Sequence, residues 1–149
     1  MSDSSKLGPP SLPRRIARVV LGLFLLFTGI GHLTFGREEF SAQVPDWLPV
    51  GDVVVVVGSG VAELALGAAL IALPRYRVAV GWTVAAFFVA IVPGNISQYV
   101  NHIDAFGLTS DGARAVRLLF QPILVLWALW STGAWRDRGT LWGAVGRRR

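Results

Sequence analysis

Four apolar stretches, each about 20 residues long, constrain this chain more than any other feature. They cover residues 16–35, 52–73, 78–99 and 113–132. An α-helix rising about 1.5 Å per residue needs roughly 20 residues to cross about 30 Å of hydrocarbon. In lipid the backbone must satisfy its own hydrogen bonds, and a helix does so within one segment. The valine run 53–57 alone would suit a buried strand. Its apolar continuation to Leu73 is too long for one, and Pro74 supplies the stop. The expected fold is therefore all-α, a bundle of four transmembrane helices.

Composition supports this reading. Apolar residues make up 53% of the 149 and charged residues 15%, where a soluble domain carries roughly 25% charge. The net charge of +5 does not suggest nucleic acid, because no basic stripe runs along a polar helix or alternates with aromatics. The positive residues instead read as a topology signal and as attraction to anionic lipid. With no cysteine, a disulfide framework, a thiolate nucleophile and Cys-ligated metal sites are excluded.

Residues 1–13 are polar and rich in Ser, Pro and Gly, and are expected to form a disordered cytoplasmic tail. Residues 14–135 form the membrane domain, and 136–149 a basic cytoplasmic tail. The first span has the basic front of a signal peptide, and Arg14-Arg15 hints at twin-arginine export. No small-residue cleavage motif follows it, so a retained helix is expected. Lys6, Arg14, Arg15, Arg18, Arg75, Arg77, Arg136, Arg138 and Arg147 to Arg149 fall on one side, against Arg37, Arg114 and Arg117 near the other. The positive-inside rule puts both termini in the cytoplasm of a multi-pass plasma-membrane protein. Trp82, Trp127, Trp130 and Trp135 then lie toward the inner interface, and Phe35, Trp47 and Tyr99 toward the outer one.

Small residues recur four apart at Gly58 and Ala62, Ala65 and Ala69, Gly81 and Ala85, and Ala86, Ala90 and Gly94; such rows let helices approach closely. Polar groups in hydrocarbon are costly, and each helix carries a set spaced three or four apart on one face. These are Thr28 and His32; Ser59 and Glu63; Asn95, Gln98 and, past the helix end, His102; and Arg117 and Gln121. Helix rise puts His32 roughly 5 Å below the outer end of its helix and Glu63 roughly 16 Å below that of its own. One polar cavity in the outer half is expected, its candidate ligand-binding residues being His32, Glu63, Asn95, Gln98, Arg117 and Gln121. Glu63 needs a partner, and Arg117 is the expected one; such a pair could equally serve only to lock two helices together. Pro93 and Pro122 should bend helices three and four, the third at Pro93-Gly94-Asn95. His32 and His102 raise haem ligation, but a solvated His102 at the interface is the commoner case, and no metal site is expected. No HExxH, P-loop, GxGxxG or GxSxG motif is present.

The segments FTGIGHLTF, VPDWLP, SGVAELALGAALIALPRYR, VPGNISQYVNH and RLLFQPILVLWALW resemble the DoxX-like family of small four-helix membrane proteins over about residues 21–130. His32 stands in its G-x-x-H segment, Glu63 in G-x-x-E-L, Asn95 in P-x-N, and Arg117 and Gln121 in R-x-x-x-Q. Some relatives are membrane subunits of a thiosulfate:quinone oxidoreductase, where the helical subunit is thought to meet quinone; others are linked to oxidative-stress complexes or to assembly of membrane proteins. The resemblance implies a redox-linked accessory subunit with a possible quinone site and a protein partner or homo-oligomer, not an enzyme on its own. The alternatives are a non-catalytic assembly or scaffold partner and, more weakly, a transporter, for which no inverted repeat speaks.

Overall fold

The computed structural model describes residues 8–139, and among them the fold is all-helical. Helices α1 (Leu12–Leu33), α2 (Arg37–Ser41), α3 (Asp52–Ala72), α4 (Arg77–Ala90), α5 (Val92–Val100) and α6 (Asp111–Thr132) follow in chain order. Leu12–Leu33, Asp52–Ala72, Pro74–Val100 and Asp111–Thr132 are each long and apolar enough to cross a membrane. Their apolar outer faces are exposed, as lipid contact requires: Leu23, Val54, Val61, Val89, Leu119 and Leu126 all lie on the outside of the bundle. The one β-bridge among the described residues joins Ala105 and Leu108 in the loop before α6. The expected tails lie largely outside the described residues; α1 begins at Leu12, slightly ahead of the expected boundary.

Local sequence sets the helix ends. Pro13 lies in the first turn of α1, where its missing N–H is no loss. Pro74 opens a 3-10 turn, Pro74–Tyr76, between α3 and α4. Ser110 caps α6 by accepting a hydrogen bond from the Ala113 N–H at 3.2 Å. Gly133 ends α6 in the left-handed region, φ 69°, where a side chain would be strained. The third span breaks at Ile91, two residues ahead of Pro93. The proline then sits in the first turn of α5, the position that tolerates it, and the break precedes the expected Pro93-Gly94-Asn95. By contrast, α6 continues through Pro122 as a single helix.

Packing is closest between antiparallel α1 and α3. Gly22 faces Gly67 and Gly29 faces Gly60; a Cβ at Gly67 would lie 2.7 Å from the Gly22 carbonyl oxygen, and one at Gly29 would lie 2.9 Å from that of Gly60. Each helix thus presents glycines seven residues apart, one heptad, along a single seam. The expected small-residue rows are used differently. Gly58 faces open space, while Gly81 packs directly against Thr132 to bring α4 onto α6.

The main apolar core sits toward the end of the bundle that holds the termini. There Leu21, Leu25, Leu70, Val84, Phe88 and Ala128 are enclosed. Polar ties fasten this terminal end. Trp127 donates from Nε1 to the Ala17 carbonyl at 3.0 Å, and Arg77 Nη1 donates to the Thr132 carbonyl at 2.6 Å and to Asp137 Oδ2 at 2.9 Å. Hydrogen bonds from Arg136 and then Arg77 hold the Asp137 carboxyl below the usual carboxylate range.

Gly67→Ala should therefore destabilise the protein by about 1–3 kcal/mol, because backbone cannot move aside. Gly58→Ala should be neutral or slightly stabilising, since it adds helix propensity in open space. Thermal melting of both variants in the same mild detergent checks the seam.

Candidate functional site

At the opposite end, where the loops 34–51 and 101–110 lie, the helices diverge around a cavity of about 730 Å³. Its polar centre is an ion pair across the glycine seam. His32 Nδ1 lies 2.9 Å from Glu63 Oε2, with both side chains almost wholly buried. Two features of the helices bring them together. A Cβ at Gly60 would sit 2.8 Å from His32 Cβ, so only glycine lets the histidine approach α3 this closely. Side chains also lean toward the N-terminus of their own helix. In an antiparallel pair His32 and Glu63 therefore lean toward each other, which cancels the difference in depth expected from helix rise alone.

The expected Glu63–Arg117 pair is not formed. Glu63 goes to His32, and the Arg117 guanidinium stands 4.8 Å from the Phe106 ring centroid. Charge complementarity favoured the arginine, but the seam holds the histidine nearer. His32 Nδ1 also lies 3.0 Å from the Thr28 carbonyl. The Thr28 carbonyl can only accept, so in this contact Nδ1 carries the hydrogen. That hydrogen is directed at Thr28, and Glu63 Oε2 receives no well-aligned hydrogen bond despite its burial.

Aromatic contacts extend the centre outward. Phe40 of α2 stacks on the His32 ring at 3.4 Å between centroids, and Phe106 meets Phe40 edge-on at 4.6 Å. Contacts thus run without a gap from Glu63 through His32, Phe40 and Phe106 to Arg117. The Glu39 carboxylate accepts from the Phe106 backbone N–H, tying α2 to the second loop across the cavity's top. Phe40, Phe106 and the buried Gln43 all line the cavity. No periodicity marked them, because they lie in the short α2 and the loops.

Thr28, His32, Ser59, Glu63, Asn95, Arg117 and Gln121 line the same cavity from all four spans. Gln98 does not; its Nε2 donates to the Ile103 and Ala105 carbonyls, both at 3.4 Å, and shapes the following loop. Buried Arg114 completes that work by donating to the Ile103 carbonyl at 3.2 Å and to Asp111 at 2.7 Å, and by pairing with Asp104. His102 is exposed and pairs with Asp111 at 2.8 Å, apart from the cavity. Among the described residues no group of three or more His, Asp or Glu side chains could hold a metal.

The walls are otherwise apolar, with Phe24, Phe27, Phe87, Phe88 and Phe120 among them. Phe27 and Phe120, on α1 and α6, are also more than half exposed, so nothing in the bundle closes that side. On the far side α3 and α5 share no packed interface. Such a chamber suits a molecule whose body is apolar and whose head is polar.

The pairing can be tested by a double-mutant cycle. His32→Ala and Glu63→Gln should show a coupling of about 1–3 kcal/mol in thermal or denaturant unfolding, as contacting groups do. Arg117→Met and Glu63→Gln should be additive within about 0.5 kcal/mol.

No curated protein and no solved structure matches the chain. Residues 21–132 match one family, described as a domain of unknown function (DUF8561). The match runs from Leu21 within α1 to the end of α6 and takes in every residue of the His32–Glu63 centre, and on that ground the chain belongs to the DUF8561 family.

Proposed function

We propose that this chain is a membrane-embedded binding subunit that holds the polar head of a lipophilic redox molecule, with quinone as the favoured class, and serves a partner as a redox-linked accessory subunit. One observation carries this reading: a buried His32–Glu63 pair faces a largely apolar chamber of about 730 Å³, within the range of small-molecule sites. A lone structural ion pair needs no chamber. Asn95, Arg117 and Gln121 stand around the same space and can orient a carbonyl or hydroxyl head. The apolar tail would lie along Phe27 and Phe120 toward lipid. Glu63 and His32 would exchange a proton with the head, while the redox chemistry belongs to the partner. The resemblance to DoxX-like proteins supports the same reading.

A scaffold role is the second reading. It rests on Glu63 already having an intramolecular partner, so that the pair could serve only to lock α1 to α3. Native mass spectrometry of the protein extracted in mild detergent from its own membrane separates the two. The binding reading expects a retained quinone or other small lipophilic molecule, lost on Glu63→Gln. A copurifying protein with an empty chamber would sink it and leave the scaffold.

In this reading both termini face the cytoplasm and the chamber opens on the outer side of the plasma membrane. The natural absence of cysteine makes this testable by single substitutions. Thr109→Cys should react with a membrane-impermeant maleimide in intact cells, and Ser11→Cys only after lysis. The reverse pattern would invert the topology.

A further inference from the structure

The terminal end of the bundle has a surplus of buried donors. Arg18 is 6% exposed and Arg77 4%. Nε and Nη1 of Arg18 and Nη2 of Arg77 are enclosed and have no hydrogen-bond partner among the described residues. The two cations also repel each other, and Arg15 adds to the repulsion on Arg18. Asp137 is the one acidic residue described at this end, and Arg77 and Arg136 already bond to it. An unpaired buried guanidinium is costly, so an acceptor is missing. The level is that of lipid headgroups: Arg14 lies 5.8 Å from the Trp130 ring centroid and Arg138 5.5 Å from that of Trp135, an interfacial aromatic belt.

We propose that Arg18 and Arg77, between α1 and the start of α4, bind the phosphate of an anionic phospholipid. A guanidinium fork fits two phosphate oxygens at once. Arg77 is anchored by its bonds to Thr132 and Asp137 and leaves Nη2 to offer. No described residue holds the Arg18 side chain by a hydrogen bond, so its long stem can turn its fork toward the headgroups. Basic pockets between helices are a recurrent way of holding such lipids. The lipid would supply the acceptors that the described residues lack and close the terminal end.

The test is lipid titration of the detergent-solubilised full chain by native mass spectrometry, with phosphatidylglycerol, phosphatidylcholine of the same acyl chains, and inorganic phosphate. Phosphatidylglycerol should bind the natural chain well above phosphatidylcholine. Arg18→Gln should weaken it about tenfold, the worth of one charge-assisted contact. Arg15→Gln, which removes the same charge from an exposed position, should leave it nearly unchanged. Equal losses in both variants would mean diffuse attraction and overturn the site. Arg18-dependent binding of inorganic phosphate, with no preference between the lipids, would overturn the lipid assignment. If Arg18→Gln does not fold, Arg18→Lys decides, since it keeps the charge and loses the fork. Its phosphatidylglycerol affinity should fall, and natural affinity would refute the proposal.

Discussion

Because α1 and α3 meet at paired glycines, their backbones come close enough for a histidine on one to reach a glutamate on the other inside the bundle. The glycines do more than pack. Gly60 makes the space that His32 occupies, and the antiparallel direction makes His32 and Glu63 lean together. Once that pair is in place, Phe40 has a ring to stack on, and Phe106 and Arg117 follow. The order of the polar centre descends from a contact between two glycine-bearing helix faces.

The bundle is divided along its length. At the terminal end, large apolar side chains fill the space between the helices, and the unsatisfied atoms are donors, on Arg18, Arg77 and Trp82. At the loop end the helices diverge, the space stays open, and unsatisfied oxygens remain on Glu63 and Gln121. The break falls beside this space, with Ile91, Pro93, Gly94 and Asn95 all lining the cavity. Hydrocarbon offers no hydrogen bonds, so each such group has to find its partner in protein, in a bound molecule or at the headgroup level.

Much of the site could be anticipated from spacing. Polar residues three or four apart on each span had to share a face, and Thr28, His32, Ser59, Glu63, Asn95, Arg117 and Gln121 do line one space. Gln98 had the same spacing signal and went elsewhere, because the chain turns just beyond it and needs its amide to hold carbonyls of that turn. Opposite charge points Glu63 to Arg117, but spacing does not say which helices touch, and the α1–α3 seam gives it His32. The roles of Phe40 and Phe106 carried no signal, since a loop's path depends on contacts between distant segments.

The sequence by itself determined that the chain holds four apolar spans of membrane-crossing length, where each begins and ends to within a few residues, and which face of each is polar. These follow from local physics: helix length against bilayer thickness, proline and glycine at the ends, and the 3.6-residue period. Only the tertiary structure decided that α1 and α3 share the glycine seam, that Glu63 pairs with His32, and that α2 and the loops roof the chamber. Such choices depend on which helices become neighbours and in what register, and that is a property of the whole bundle's packing.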